Sequence, residues 1–152
     1  MNRIAMLLVT FAANGLSAAD WPQWMGPNRN GVWDEAGVAT EFPKEGPKKL
    51  WSMPVDVGYS GPAVAHGHVY VFDFISSVNE SENNPSKRTH LAGKERIQCL
   101  DSKSGKSVWS YEYACEYAVS YPAGPRCTPT VSGGKVYVLG TMGNLHCLDA
   151  AT

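Results

Sequence analysis

The residues whose types and spacing could do chemistry are few. Ser104-Gly105-Lys106-Ser107 has the end of a phosphate-binding loop, where backbone N–H groups and a lysine cradle phosphates. The upstream glycine of that motif falls on Leu100, and strands rather than a following helix flank the stretch, so the match fails. His66, His68, His90 and His146 are dispersed, with His66 and His68 predicted on opposite faces of a hairpin, and no metal site is assigned. The four cysteines form no Cys-x-x-Cys pair, which leaves zinc and thioredoxin-type redox chemistry without support. Cys115 and Cys127 fall in one predicted connecting loop, and in an exported chain they are the pair placed to form a disulfide. Tyr111, Tyr113, Tyr117 and Tyr121 with Arg126 make the most site-like cluster. Tyr117, Tyr121 and Arg126 are the candidate loop site, because connecting loops carry function; packing between neighbouring repeats is the competing reading. No residue is assigned a catalytic role.

The elements that must position these residues repeat along the chain. Ile97-Gln98-Cys99-Leu100-Asp101 returns as Leu145-His146-Cys147-Leu148-Asp149, and Pro62-Ala63-Val64 with Val69-Tyr70-Val71 returns as Pro129-Thr130-Val131 with Val136-Tyr137-Val138. The underlying unit is about 48 residues with four strands, the size of a propeller blade. The first copy carries an insertion, for which the polar stretch Ser76–Lys94 is predicted as a long exposed loop. One full blade is predicted over Gly61–Ala65, His68–Phe74, Arg96–Asp101 and Lys106–Tyr113, with a two-residue turn at His66-Gly67. Ala114–Arg126 is predicted as a second long connection. Thr128–Ser132, Lys135–Gly140 and Asn144–Asp149 are three strands of a second blade. Lys49–Val55, carrying Trp51, is predicted as a leading strand without partners. The chain reads as the start of a longer protein that stops inside its second blade.

Within the repeat, Cys99 and Cys147, each just before Leu-Asp, read as small core residues on the strand face shared with Ile97 and Leu145. Asp101 and Asp149 end a strand where their carboxylates can accept N–H groups of the following turn, and Gly105 supplies that turn's backbone freedom. Trp51 and Trp109 offer flat apolar faces that can fill the gap between blades.

Composition sets the outer limits. With 152 residues, 43% hydrophobic and only 18% charged, the chain can bury a core of ordinary domain size. A net charge of −1 gives no basic face for nucleic acid. The positive start at Arg3, the apolar run Ile4–Ala13 and the small residues Ser17-Ala18-Ala19 make 1–19 a signal peptide cleaved before Asp20, too short in its apolar part to span a bilayer. The expected location is periplasmic or secreted, with no transmembrane segment in the mature chain. The first cysteine is Cys99, so the cleavage site offers none for lipid attachment. Residues 20–48 read as an irregular Trp/Pro-rich strap whose tryptophans should lie across the surface of the repeats in 49–152.

Cys99-Leu100-Asp101-x-x-Ser104-Gly105-Lys106-x-x-Trp109, with the two Pro-x-Val…Val-Tyr-Val stretches, resembles the pyrroloquinoline-quinone-like (PQQ-like) β-propeller repeat. The leader Asp20-Trp21-Pro22-Gln23-Trp24…Gly26-Pro27-Asn28-Arg29…Gly31 resembles the opening of exported propeller proteins of planctomycete-type bacteria, with Met25 where an arginine is usual. The resemblance implies an all-β fold, a partial propeller of four-stranded antiparallel blades with about one complete and one incomplete blade present. It implies two functions. One is a non-catalytic scaffold or binding propeller, like the B subunit of the outer-membrane protein assembly machinery, taking a protein or small molecule on its loops. The alternative is the N-terminal fragment of a PQQ- and calcium-dependent alcohol or sugar dehydrogenase. That chemistry needs a calcium-coordinating carboxylate and amide, a catalytic Asp and a closed ring. None of these can be assigned in the chain, so no cofactor is assigned, and the reading favours the scaffold.

Overall fold

The computed structural model describes residues 18–77 and 83–152. The predicted signal peptide, apart from Ala18 and Ala19, lies outside the described residues. The strands are β1 (Ala63–Ala65), β2 (His68–Ile75), β3 (Thr89–Asp101), β4 (Ser107–Val119), β5 (Thr130–Ser132), β6 (Lys135–Leu139) and β7 (Leu145–Asp149). They form two antiparallel sheets in sequence order, β1-β2-β3-β4 and β5-β6-β7. The described residues are thus an all-β partial propeller of one four-stranded and one three-stranded blade. Among them no helix is long and apolar enough to cross a membrane.

Turn chemistry sets the register. His66 and Gly67 both have positive φ (52° and 76°), as do Gly133 and Gly134 (56° and 73°). Each pair makes a two-residue hairpin whose twist suits right-handed strands, pairing Ala65 with His68 and Ser132 with Lys135.

Three expectations from sequence are corrected. Lys49–Val55 is not a strand; in this leading region only Val57 bridges to Phe74. The two predicted long loops are shorter than expected, because β3 begins at Thr89 and β4 continues to Val119, pairing Thr89–Lys94 with Ala114–Val119. This extension pairs its backbone fully but buries only one face, in a small core of Phe74, Leu91, Cys115, Tyr117, Val119 and Ala123. The polar residues of its other face disguise it as loop. Gly93 makes it possible: Phe74 stacks on Tyr117 at 4.0 Å, and a side chain at Gly93 would collide with the Phe74 ring and the Ile75 carbonyl. Last, the strap covers fewer aromatics than its composition suggests. Trp21 pairs with Val64 by two backbone bonds (2.8 and 2.9 Å), and Pro22 accepts from Val131 N, so the strap ties β1 to β5. Trp24 and Trp33 remain 69% and 53% exposed.

The main core lies between the sheets. Ala63, Ala65, Tyr70, Phe72, Ile97 and Cys99 meet Val131, Val136, Val138 and Ala150, with Trp109, Tyr113 and Leu148 packed around them. The two repeat tryptophans make the same bond on successive blades. Trp51 Nε1 donates to Ser102 O (2.9 Å) and Trp109 Nε1 to Ala150 O (3.1 Å), each acceptor following the repeat aspartate. The Trp51 segment therefore stands against the first blade as Trp109 stands against the second, though without strand pairing.

Candidate functional site

The repeat residues take fold-making places. Asp101 Oδ1 accepts from Lys103 N, Ser104 N (2.8 Å) and Ser104 Oγ (2.6 Å). The Ser104 hydroxyl and turn amides hold its carboxyl below the usual range. Asp149 accepts from Ala151 N and Lys135 Nζ and is lowered by both. Gly105, at φ +69°, leaves room for the Trp51 ring, which a Cβ would approach to 2.6 Å. Leu100 is buried and Leu148 half-buried. Cys99 is fully buried and pairs with Trp109 at a register shift in the ladder. Cys147 corrects the expectation of a buried face: it is exposed, because among the described residues no strand or sheet covers that side of β7.

The cysteine pair also separates. Cys115 is buried in β4 opposite Gly93, Cys127 is exposed on the loop before β5, and both are free thiols. Cys115 therefore lies in a strand and not in the connecting loop that it was expected to share with Cys127. Burial, aided by the charge of Glu95, pushes the Cys115 thiol up to about 11, which makes it unreactive near neutral pH.

The tyrosine cluster divides into two sites. Tyr117 lies in a strand rather than a loop and is fully buried. Its hydroxyl donates to Glu95 Oε1 at 2.6 Å, the Tyr113 hydroxyl donates to Glu95 Oε2, and Thr141 N donates to Oε1 at 2.9 Å. His146 packs against Tyr113 in a tilted arrangement, with ring centroids 4.2 Å apart. Burial first, then the bond to Glu95, drives both tyrosine hydroxyls far above their usual range, so they remain donors. Glu95 is fully buried, and a Cβ on Gly140 would overlap its carboxylate. This network pins the β6–β7 turn of the second blade to the hairpin of the first.

A second buried carboxylate works the same way. Asp73, 1% exposed, takes a bidentate bond from Arg96 (3.0 and 2.7 Å) and a third from Asp56 N (2.9 Å). Arg96 Nη2 also reaches Asp56 Oδ2 at 3.1 Å, which ties the leading segment to β2 and β3. Neither Glu95 nor Asp73 was singled out in the sequence. A charge inside the apolar run of β2 was the available signal for Asp73; Glu95 sits among charged residues and gave none.

Arg126 and Tyr121 do come together. The Arg126 guanidinium lies 4.3 Å from the Tyr121 ring centroid and 4.7 Å from that of Tyr59, which was not foreseen. Its Nη1 and Nη2 donate to Gly124 O (3.0 Å) and Pro122 O (2.9 Å). Clefts of about 300 and 200 Å³ open on either side; the larger also meets Gln23, Trp24 and Arg29 of the strap.

Residues 93–152 match the family model described as outer membrane protein assembly factor BamB. Over these residues the chain carries a PQQ-like repeat. The match begins in the extended part of β3 and takes in β4 and the whole second blade. No curated protein and no solved structure matches the chain. The Glu95 network joins one repeat to the next, and the Arg126 clefts lie where the loop between repeats meets the strap.

Proposed function

We propose that this chain is an exported, non-catalytic β-propeller scaffold or binding module whose partner docks on the Arg126 loop and strap. One observation carries the reading: the buried carboxylates are consumed by the fold. Glu95 accepts from Tyr113, Tyr117 and Thr141, and Asp73 from Arg96 and Asp56. Pyrroloquinoline quinone with calcium calls for carboxylate and amide oxygens free to coordinate and a carboxylate free to take a proton. These buried groups do not fit it, since each already accepts three hydrogen bonds from the fold on both of its oxygens. The apolar run Ile4–Ala13 supports export, and the description of the matched family, an outer membrane assembly factor, agrees with a scaffold at a cell envelope.

The test is an assay of the purified chain with pyrroloquinoline quinone, calcium, an artificial electron acceptor and a panel of alcohols and sugars. No reduction above the protein-free control is expected. Substrate-dependent reduction of the acceptor would overturn the scaffold reading in favour of a dehydrogenase fragment.

A further inference from the structure

The larger cleft beside Arg126 brings two guanidinium groups together without a carboxylate in its lining. Both cations are held in place. Arg29 Nε donates to Gln23 Oε1 at 3.1 Å, and the Gln23 amide is itself anchored on the Gly26 and Pro27 carbonyls at 3.1 Å. Arg29 also sits at φ 52°, a backbone conformation uncommon for such a residue, and its N–H is tied to Gly26 O. On the opposite wall, Arg126 is clasped between two tyrosine rings and two carbonyls. All these partners are neutral. Among the described residues neither arginine forms an ion pair, so both charges stay uncompensated over the same space. Trp24 presents a largely exposed indole to the same cleft, and Thr128 and Thr130 add hydroxyls.

We propose that this cleft binds a small ring-bearing acid, its oxyanion held between Arg29 and Arg126 and its ring laid on Trp24. A rigid guanidinium fork matches the two oxygens of a carboxylate or phosphate, and two forks make the match charge-selective. An exposed indole supplies the flat apolar face that a ring needs. The volume of about 300 Å³ is at the small end for ligand sites, which suits one ring rather than a polymer. The assignment rests on the reading of the chain as a binding module and names the ligand class of that module.

Calorimetric titration of the purified chain tests it, with benzoate, glucuronate and glucose 6-phosphate as acids and benzyl alcohol and glucose as neutral counterparts. Saturable binding of at least one acid and none of its neutral counterpart is expected; the arms separate carboxylate from phosphate as the source of the oxyanion. Arg29→Gln and Arg126→Gln should each weaken that acid about tenfold, the scale of one charge-assisted hydrogen bond. Trp24→Ala should weaken it while leaving the preference for the acid intact. Arg126 also braces its own loop, so thermal melts accompany the titrations; Arg29→Gln, on the exposed strap, decides the matter if Arg126→Gln melts early. Equal binding of the neutral counterparts, full affinity in Arg29→Gln, or no saturation by about 10 mM of any acid would each overturn the assignment. A chain that reduces the electron acceptor yet binds acids here loses the scaffold reading alone. A chain that does neither loses only this ligand.

Discussion

Tyr117 shows how a single hydroxyl can matter in a blade with an apolar core. Its ring stacks on Phe74 and its oxygen donates to Glu95, so Tyr117→Phe removes the donor and leaves the packing. A buried carboxylate left one donor short costs about 1–3 kcal/mol. Urea unfolding of Tyr117→Phe should therefore show a loss of that size with an unchanged slope; a loss below about 0.5 kcal/mol would mean that the bond adds little. Glu95→Gln should cost at least as much, because its amide N–H groups would face the Tyr113 hydroxyl or the Thr141 N–H, both donors in the native network. Asp73 follows the same logic. Its bidentate bond from Arg96 is nearly excluded from water, and truncating either partner strands the other.

At the scale of elements, the hairpins are local and the junction between blades is not. Each two-residue turn specifies its own strand pair, whereas the three strands described for the second blade share their core with the first. Trp109 is one tie between them, since it packs on Tyr70 and donates to Ala150 O. Trp109→Ala should cost about 2–3 kcal/mol, somewhat below the range for a fully buried tryptophan because the ring is only half-buried. The loss should be localised. Hydrogen exchange should show reduced protection over β5–β7 with β2 and β3 nearly unchanged, and uniform loss across both blades would contradict a docking role. The extended β3–β4 arms carry their own small core, so they should keep their protection in this variant.

The whole molecule buries three tyrosine hydroxyls at or beside the junction between blades, and this shapes its response to pH. Burial foremost, with the neighbouring Cys99, pushes Tyr70 from the ordinary 10 up to about 12, and Tyr113 and Tyr117 are raised as well. A raised folded-state value means that the folded chain favours the neutral hydroxyl. The corresponding stability is complete below pH 10, where folded and unfolded chains are both protonated. It declines as pH rises from 10 through about 12, because the unfolded chain ionises first. Denaturation midpoints measured across that interval should fall steadily, and Tyr70→Phe should flatten part of the fall. A midpoint that holds through pH 12 in the native chain would show that these hydroxyls stay exposed to solvent.

The sequence by itself determined the repeat, the antiparallel hairpins at His66-Gly67 and Gly133-Gly134, and the turn at Asp101, because each depends on residues close together in the chain. Period-two alternation and positive-φ turn residues act locally, so they can be read locally. Burial was decided only by the tertiary structure. Tyr70 and Tyr137 occupy the same place in successive repeats, yet one is 1% exposed and the other 40%. Cys99 and Cys147 differ in the same way. In each case the first copy faces the second blade and the second copy faces no sheet among the described residues. The partners of Glu95 were hidden for a related reason: its donors come from β4 and from the β6–β7 turn, brought together only when two blades stack. The cleft at Arg126 likewise exists because a strap from the start of the chain folds back over a loop about a hundred residues later, a closure that no local pattern announces.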